Sequence, residues 1–234
     1  MSRGSARVEP LATITAATRS LLATAERFGD ADVRAPSLLP GWTRGHVLTH
    51  LARNADGGTR LLTWARTGIE AREYPSMAAR AAEIEDGAGR PAAALLADVR
   101  ESADRFATAY TRMPDEAWQR TVEWTSGPRH PAAHAAGARL TEVLVHHVDL
   151  AAAFTPRDWP AGFTARTLDS VAASFARRDD APRLRLRATD TGRDLGDGDT
   201  TVTGPETSLL AWLMGRSPGT DLEGADGIVL PFLY

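Results

Sequence analysis

An α+β fold is expected for this chain: a four-helix bundle followed by a smaller domain that mixes helix and strand. Three observations predict it. Four long segments between residues 9 and 154 carry apolar residues at helical spacing. After Trp159-Pro160 the pattern changes, and Arg183-Leu184-Arg185-Leu186-Arg187-Ala188 alternates strictly, as a half-buried strand does. The 234 residues suffice for one large domain or two modest ones. The boundary is drawn at Asp158/Trp159, giving a helical bundle over residues 1–158 and an α+β domain over residues 159–234.

Taken in order, residues 1 to about 8 read as a frayed tail. Leu11, Ile14, Leu21, Leu22, Ala25 and Phe28 line one face of a helix over 9–28, which Gly29-Asp30 stops. After a loop at 36–41, Thr43 N-caps a helix that runs to Thr67, with Val47, Leu48, Leu51, Ala55, Leu61, Leu62 and Ala65 as its buried stripe. Gly57 and Gly58 lie inside it, each costing about 1 kcal/mol relative to alanine. A close helix contact, room for a ligand and a tolerated weakness are all open explanations for them. Tyr74-Pro75-Ser76 leads into a short helix. Pro91 opens a third long helix, with Leu95, Leu96, Val99, Ala103, Phe106 and Tyr110 as its core face, and Pro114 closes it. Residues 115–134, with Trp118, Trp124 and the Gly127-Pro128 and His130-Pro131 pairs, form a loop or a hairpin-like link. The fourth long helix ends near 154–156. The second domain is read as a helix over 163–177, strands at 183–188 and 200–203, a helix over 205–214 with Gly215 at its C′ position, and a last strand at 228–233.

The formal net charge is -3 and the pI about 6.1, so no positive field attracts nucleic acid. All 27 basic residues are arginine. With no cysteine there is no disulfide, no thiolate ligand and no sulfur nucleophile in the chain, so thiol chemistry requires a small-molecule thiol. No apolar run approaches the roughly 20 residues that span a bilayer, and Met1 to Pro10 lacks the apolar centre of a signal peptide. A cytoplasmic protein that binds neither membrane nor nucleic acid is expected.

The chain is organised around Pro40-Gly41-Trp42-Thr43-Arg44-Gly45-His46-Val47-Leu48-Thr49-His50-Leu51-Ala52. His46 and His50 stand four apart on one helix face, and Glu142 and His146 do so on another. His50, Glu142 and His146 offer two imidazoles and a carboxylate, a usual catalytic zinc set that leaves the fourth position to water or substrate. Spacing alone leaves the pairs open between a metal site and a solvated helix face. His46 and His147 fit packing or a place behind the ligands. Asp149, one turn beyond His146, fits either an orienting carboxylate or an exposed one. His130 and His134 are read as solvated.

The organising stretch, extended through Arg53-Asn54-Ala55-Asp56, closely resembles the mycothiol-dependent maleylpyruvate isomerase family, within the DinB-like thiol transferases. Tyr74-Pro75-Ser76, Ile84-Glu85-x-Gly87-Ala88-x-Arg90-Pro91 and Glu142-Val143-x-Val145-His146-His147-Val148-Asp149-Leu150 also match. Thr155-Pro156-x-Asp158-Trp159-Pro160, Gly204-Pro205 and Trp212-Leu213-x-Gly215-Arg216 continue the resemblance into the second domain. It departs at Gly57-Gly58 and over 124–138. The resemblance implies a DinB-like four-helix bundle with a C-terminal α+β domain like sterol carrier proteins. It implies a zinc ion on His50, Glu142 and His146, with mycothiol or another small thiol as co-substrate. His46, His147 and Asp149 are expected behind the ligands, and Arg216 and Arg80 as catalytic residues. The implied reaction converts maleylpyruvate to fumarylpyruvate by thiol addition, rotation and elimination. Transfer of the thiol to a different electrophile is the alternative. The expected partners are a small substrate and a small thiol, and the expected state is a monomer or weak homodimer.

Overall fold

This computed structural model describes residues 5–231, with side chains from Pro10 onward. The chain divides after Ala153 into two compact units. The first holds α1 (Ser5–Ala25), α2 (Asp30–Arg34), α3 (Arg44–Thr67), α4 (Met77–Ala88), α5 (Ala92–Thr111) and α6 (His134–Asp149), with a hairpin of β1 (Thr121–Glu123) and β2 (Arg129–Pro131) before α6. The short turn at Pro156–Asp158, drawn above as the end of the first domain, packs on a helix of the second unit and belongs with it.

α3 is the axis of the first unit. It packs against α4, α5 and α6, and α1 covers α5 and α6. Its start is fixed by a reciprocal cap. The Thr43 hydroxyl accepts from the His46 backbone N–H, and His46 Nδ1 accepts from the Thr43 N–H at 3.1 Å. A histidine thus does the work that Glu or Gln does in the usual capping box. Trp64 O is bonded by the Gly68 N–H, where φ of +78° ends the helix in the left-handed region. The stripe from Val47 to Ala65 is buried as the spacing predicts.

Gly58 is explained by close contact. A Cβ there would stand 2.8 Å from the ring of Phe106 on α5, a ring that is itself 1% exposed. At Gly57 the Cβ would meet Glu73 Cγ at 2.7 Å. The two glycines let α3 approach its neighbours at the height of the bundle core.

Several elements differ from expectation. The first helix stops at Ala25 rather than at 28, and its backbone already begins at Ser5. The expected tail at residues 1–4 lies outside the described residues, while 5–8 are helical. α2, five residues long, is too short to show a period. α6 ends at Asp149, where Ala151 at φ 51° turns the chain, instead of near 154. Residues 228–231 form no strand, and 232–233 lie outside the described residues.

The second unit contains α7 (Ala161–Phe175), β3 (Leu184–Ala188), β4 (Asp194–Leu195), β5 (Thr200–Gly204) and α8 (Glu206–Leu213). Its sheet has the order β4-β3-β5, with β3 parallel to β5 and antiparallel to β4. Leu186 and Ala188 of the alternating segment are buried, and Arg185 and Arg187 face out. α7 and α8 pack on each other.

Gly58→Ala should destabilise the protein despite the better helix propensity of alanine. Propensity favours the change by about 1 kcal/mol, whereas forcing a methyl against a buried ring costs about 1–3 kcal/mol. A urea midpoint that falls agrees with the close contact; one that rises means the ring has room to move.

Candidate metal centre

His50 lies two turns into α3, and Glu142 and His146 lie one turn apart on α6. The two helices bring the three side chains to one point. His50 Nε2 is 2.8 Å from Glu142 Oε2 and 3.0 Å from His146 Nε2, and His146 Nε2 is 3.2 Å from the same Glu142 oxygen. Ligand atoms on a tetrahedral ion at about 2.0–2.1 Å stand about 3.3 Å apart. The observed separations lie just inside that value, so the three atoms already converge and a slight opening admits an ion. Among the described residues these three are the group so arranged. The His50 side chain is 3% exposed but that of Glu142 is 26% exposed, so the point of convergence is open on the Glu142 side.

The electrostatics suit metal binding, which requires neutral imidazole and ionised carboxylate. Burial pushes the His50 imidazole down to about 4, leaving it neutral at pH 7. Burial opposes ionisation of Glu142, but the two imidazoles beside it hold its carboxyl well below the usual range. Burial also works against charging His146, and its hydrogen bonds to Asp149 and Glu142 outweigh that and raise it. In the metal-free chain the carboxylate and His146 therefore hold each other.

Asp149 is fully buried and sits 2.8 Å from His146 Nδ1. It fixes the ring so that Nε2 faces the point of convergence, the arrangement that carboxylates behind metal-bound histidines provide. Arg80, at the first turn of α4, reaches the other face of the site: its Nη2 donates to His50 Nδ1 at 3.1 Å. The guanidinium also lies over the Tyr74 ring, 5.8 Å from its centroid.

His46 and His147 stand elsewhere. His46 is held in the α3 cap, with Nε2 3.1 Å from Glu85. His147 is buried on the other side of α6, its Nε2 2.8 Å from the Thr24 hydroxyl of α1. It is a core histidine and not a support of the ligands. One residue past His146 is a turn of about 100° on a helix, which carries the side chain off the site face. His130 and His134 are not simply solvated: their rings stack at 4.4 Å, with Trp124 edge-on to both.

Arg216 belongs to the second unit. α8 ends in a paired turn, with Gly215 N–H bonded to Trp212 O and Arg216 N–H to Ala211 O, and Gly215 at φ +71°. The Arg216 guanidinium folds back to the Met214 carbonyl at 2.7 Å and lines a cleft of about 360 Å³ with Arg157, Ser208 and Asp221. The bond to a helix-end carbonyl is the contact expected of a charge that favours the dipole.

Trp42 is a neighbour that spacing did not reveal. Its ring stacks on His46 at 6.0 Å and meets His50 edge-on at 5.7 Å. Its place just before the Thr43 cap, where an apolar residue commonly packs on the first turn, was the available signal.

The family model described as the mycothiol maleylpyruvate isomerase N-terminal domain matches residues 14–151, and that described as the MDMPI C-terminal domain matches residues 158–229. Among solved structures, the crystal structure of a mycothiol-dependent maleylpyruvate isomerase is 26% identical, with a TM-score of 0.91 and 97% of each chain covered. The structure of a histidine-to-alanine mutant of such an isomerase matches with a TM-score of 0.90, also at 26% identity and 97% coverage of each chain. No curated protein matches the chain.

His50→Ala and His146→Ala should each lose most of the roughly one equivalent of divalent metal that the wild-type chain retains, while His46→Ala and His147→Ala keep it. Asp149→Asn should weaken metal binding about 10–100-fold. Elemental analysis after dialysis and chelator competition reads both. Unchanged metal in both His50→Ala and His146→Ala contradicts the assignment.

Proposed function

The chain belongs to the mycothiol maleylpyruvate isomerase family, and from that membership we propose that it is a zinc- and mycothiol-dependent cis–trans isomerase converting maleylpyruvate to fumarylpyruvate. The observation that supports this best is the convergence of His50, Glu142 and His146 in a chain that has no cysteine. The donor set of two imidazoles and a carboxylate suits zinc. When bound there, the ion supplies a Lewis acid that lowers the pKa of a ligating thiol to below neutrality.

The reaction balances without any net cofactor. The sulfur of the small thiol adds to one carbon of the cis double bond, and the electron pair moves onto the conjugated carbonyl as an enolate. The former double bond is now single and rotates. Collapse of the enolate expels the thiol and leaves the trans isomer.

The chain's own residues hold and orient. His50, Glu142 and His146 hold the ion, and Asp149 keeps His146 in the tautomer that presents Nε2. Arg80 has a particular part. Its bond to His50 requires a free lone pair on Nδ1, so in the metal-free chain the proton of His50 sits on Nε2. Were the Nε2 lone pair to hold a metal, the proton of His50 would sit on Nδ1 and Arg80 would have no acceptor there. Its guanidinium would then be free for a carboxylate of the substrate, whose two oxygens its planar fork fits. Arg216 is carried over from the family resemblance as a second carboxylate or enolate contact. No described helix is long and apolar enough to cross a membrane. We assign the protein to the cytoplasm as a monomer or weak homodimer.

Conversion of maleylpyruvate, followed by loss of its absorbance, should fall to background when mycothiol is omitted. Full turnover without any thiol rules out the addition–elimination route, and thiol-dependent turnover of other electrophiles in its place favours a transferase. Arg80→Ala and Arg216→Ala should each lower kcat/KM about a hundredfold, a few kcal/mol of lost charge stabilisation, with zinc content unchanged. Arg216→Lys should regain only part of the rate. Wild-type rates in Arg216→Ala would leave that arginine as a helix-end charge.

A further inference from the structure

Arg80 is half-buried, and among the described residues its side chain makes one hydrogen bond, to His50 Nδ1 at 3.1 Å, and no ion pair. Ordering so long a side chain costs rotamer entropy, so a second contact is needed to keep the guanidinium aimed at the site. That contact is the Tyr74 ring, whose centroid lies 5.8 Å from the guanidinium carbon, within the range of a cation–π interaction. Were a metal to hold the Nε2 lone pair of His50, the bond at Nδ1 would be gone, and the ring would be the hold that remains.

Tyr74 is itself firmly placed. It is 2% exposed. Its backbone N–H donates to the Thr125 hydroxyl at 2.8 Å, and that hydroxyl donates back to the Tyr74 carbonyl at 3.1 Å. Thr125 belongs to the turn between β1 and β2, so the hairpin clamps the loop before α4. From α3, Arg60 donates to the Glu73 carbonyl at 2.9 Å and sets its own guanidinium carbon 5.8 Å from the same ring centroid. The Ser76 hydroxyl caps α4 by accepting from the Ala79 N–H at 3.0 Å, and Arg80 follows one turn on. The Tyr74 hydroxyl is different: it is buried and has no hydrogen-bond partner. A buried donor in that condition works against stability, so the ring owes its place to its backbone and its two cations. Burial and the Glu73 carboxylate push the phenol up, so it is neutral at pH 7 and meets Arg80 through its π face.

We propose that Tyr74 is a positioning residue that acts through its aromatic face: the ring holds the guanidinium of Arg80 at the metal centre, and the hairpin turn at Thr125 holds the ring. This rests on the isomerase reading, in which Arg80 receives a carboxylate of the substrate. The hydroxyl has no part in it, and the ring without the hydroxyl suffices.

The test pairs motion with rate on the zinc-loaded protein. Nitrogen-15 relaxation of the Arg80 Nε–H, identified by its loss in Arg80→Ala, reads the order of the guanidinium. It should be ordered in the wild type and in Tyr74→Phe, which keeps the ring, and mobile in Tyr74→Met, which removes it. In maleylpyruvate turnover with mycothiol, Tyr74→Met should lower kcat/KM at least about tenfold, the factor that a desolvated cation–π contact sustains, with zinc content unchanged. Tyr74→Phe should stay within about twofold of the wild type. Adding Tyr74→Met to Arg80→Ala should cost nothing further, because the ring acts through the arginine. Three results overturn the proposal. One is order and rate both kept in Tyr74→Met. Another is an equal fall in Tyr74→Phe, which moves the role to the hydroxyl. The third is a fully additive loss in the double variant, which gives Tyr74 a part of its own. If Tyr74→Met fails to fold, pentafluorophenylalanine placed at position 74 keeps the shape and reverses the charge of the ring face; it should mobilise Arg80, and an unchanged Arg80 signal overturns the proposal. A wild type that holds zinc but converts no maleylpyruvate contradicts the isomerase reading alone, and the relaxation data still decide whether the ring holds Arg80.

Discussion

The cross-ties between α3 and α6 are the constraint on which the centre depends. At one end, Arg44 of α3 donates to the carbonyls of Leu150 and Ala151, closing the C-terminus of α6. The Leu38 N–H adds a bond to the Asp149 carbonyl. At the other end, Arg139 of α6 donates to Leu51 O and Asn54 Oδ1 of α3. The helices are thus pinned antiparallel on both sides of His50, Glu142 and His146. Hydrogen bonds from a charged donor contribute roughly 1.5–3 kcal/mol each, enough to hold the register in which three polar side chains meet. Without that register, two histidines and a glutamate are three separate groups on two surfaces.

The charge distribution follows from the same packing. His50 is kept neutral by burial, and the carboxylate of Glu142 is kept ionised by the two imidazoles beside it. Asp149 lies one turn beyond His146, in the last turn of α6, and is covered completely. A metal centre needs ligands oriented before the ion arrives, and here the orientation comes from a cap, a buried carboxylate and an arginine. Arg80 donates to His50 Nδ1, the ring nitrogen opposite the one that points at Glu142 and His146.

Much of this was legible in the sequence, for identifiable reasons. Thr43 and Gly68 bound α3 because caps and left-handed glycines act locally. The strand at Leu184–Ala188 showed in its alternation because one face is buried. The pairing of His50 with Glu142 and His146 was different. It joins residues 92 and 96 apart, and no local rule connects them. Spacing and donor chemistry offered the set but left it open against a solvated helix face, and the resemblance implied it. For His147 the residues left packing open beside a place behind the ligands, and the contact that decides for packing, with Thr24, comes from another helix. The two-residue β4 and the five-residue α2 were missed because a period needs length to be seen. Gly58 was ambiguous because its reason, the Phe106 ring, arrives from another helix.

The central claim is that α3 and α6 together build a tetrahedral zinc site from two imidazoles and one carboxylate. X-ray absorption at the zinc edge, on protein loaded with one equivalent, tests it most directly. The account predicts a four-coordinate shell of nitrogen and oxygen at about 2.0–2.2 Å. It also predicts that the multiple-scattering signature of imidazole corresponds to two rings, falling to one in His50→Ala. A six-coordinate, oxygen-rich shell without imidazole, or a spectrum that His50→Ala does not change, would contradict it.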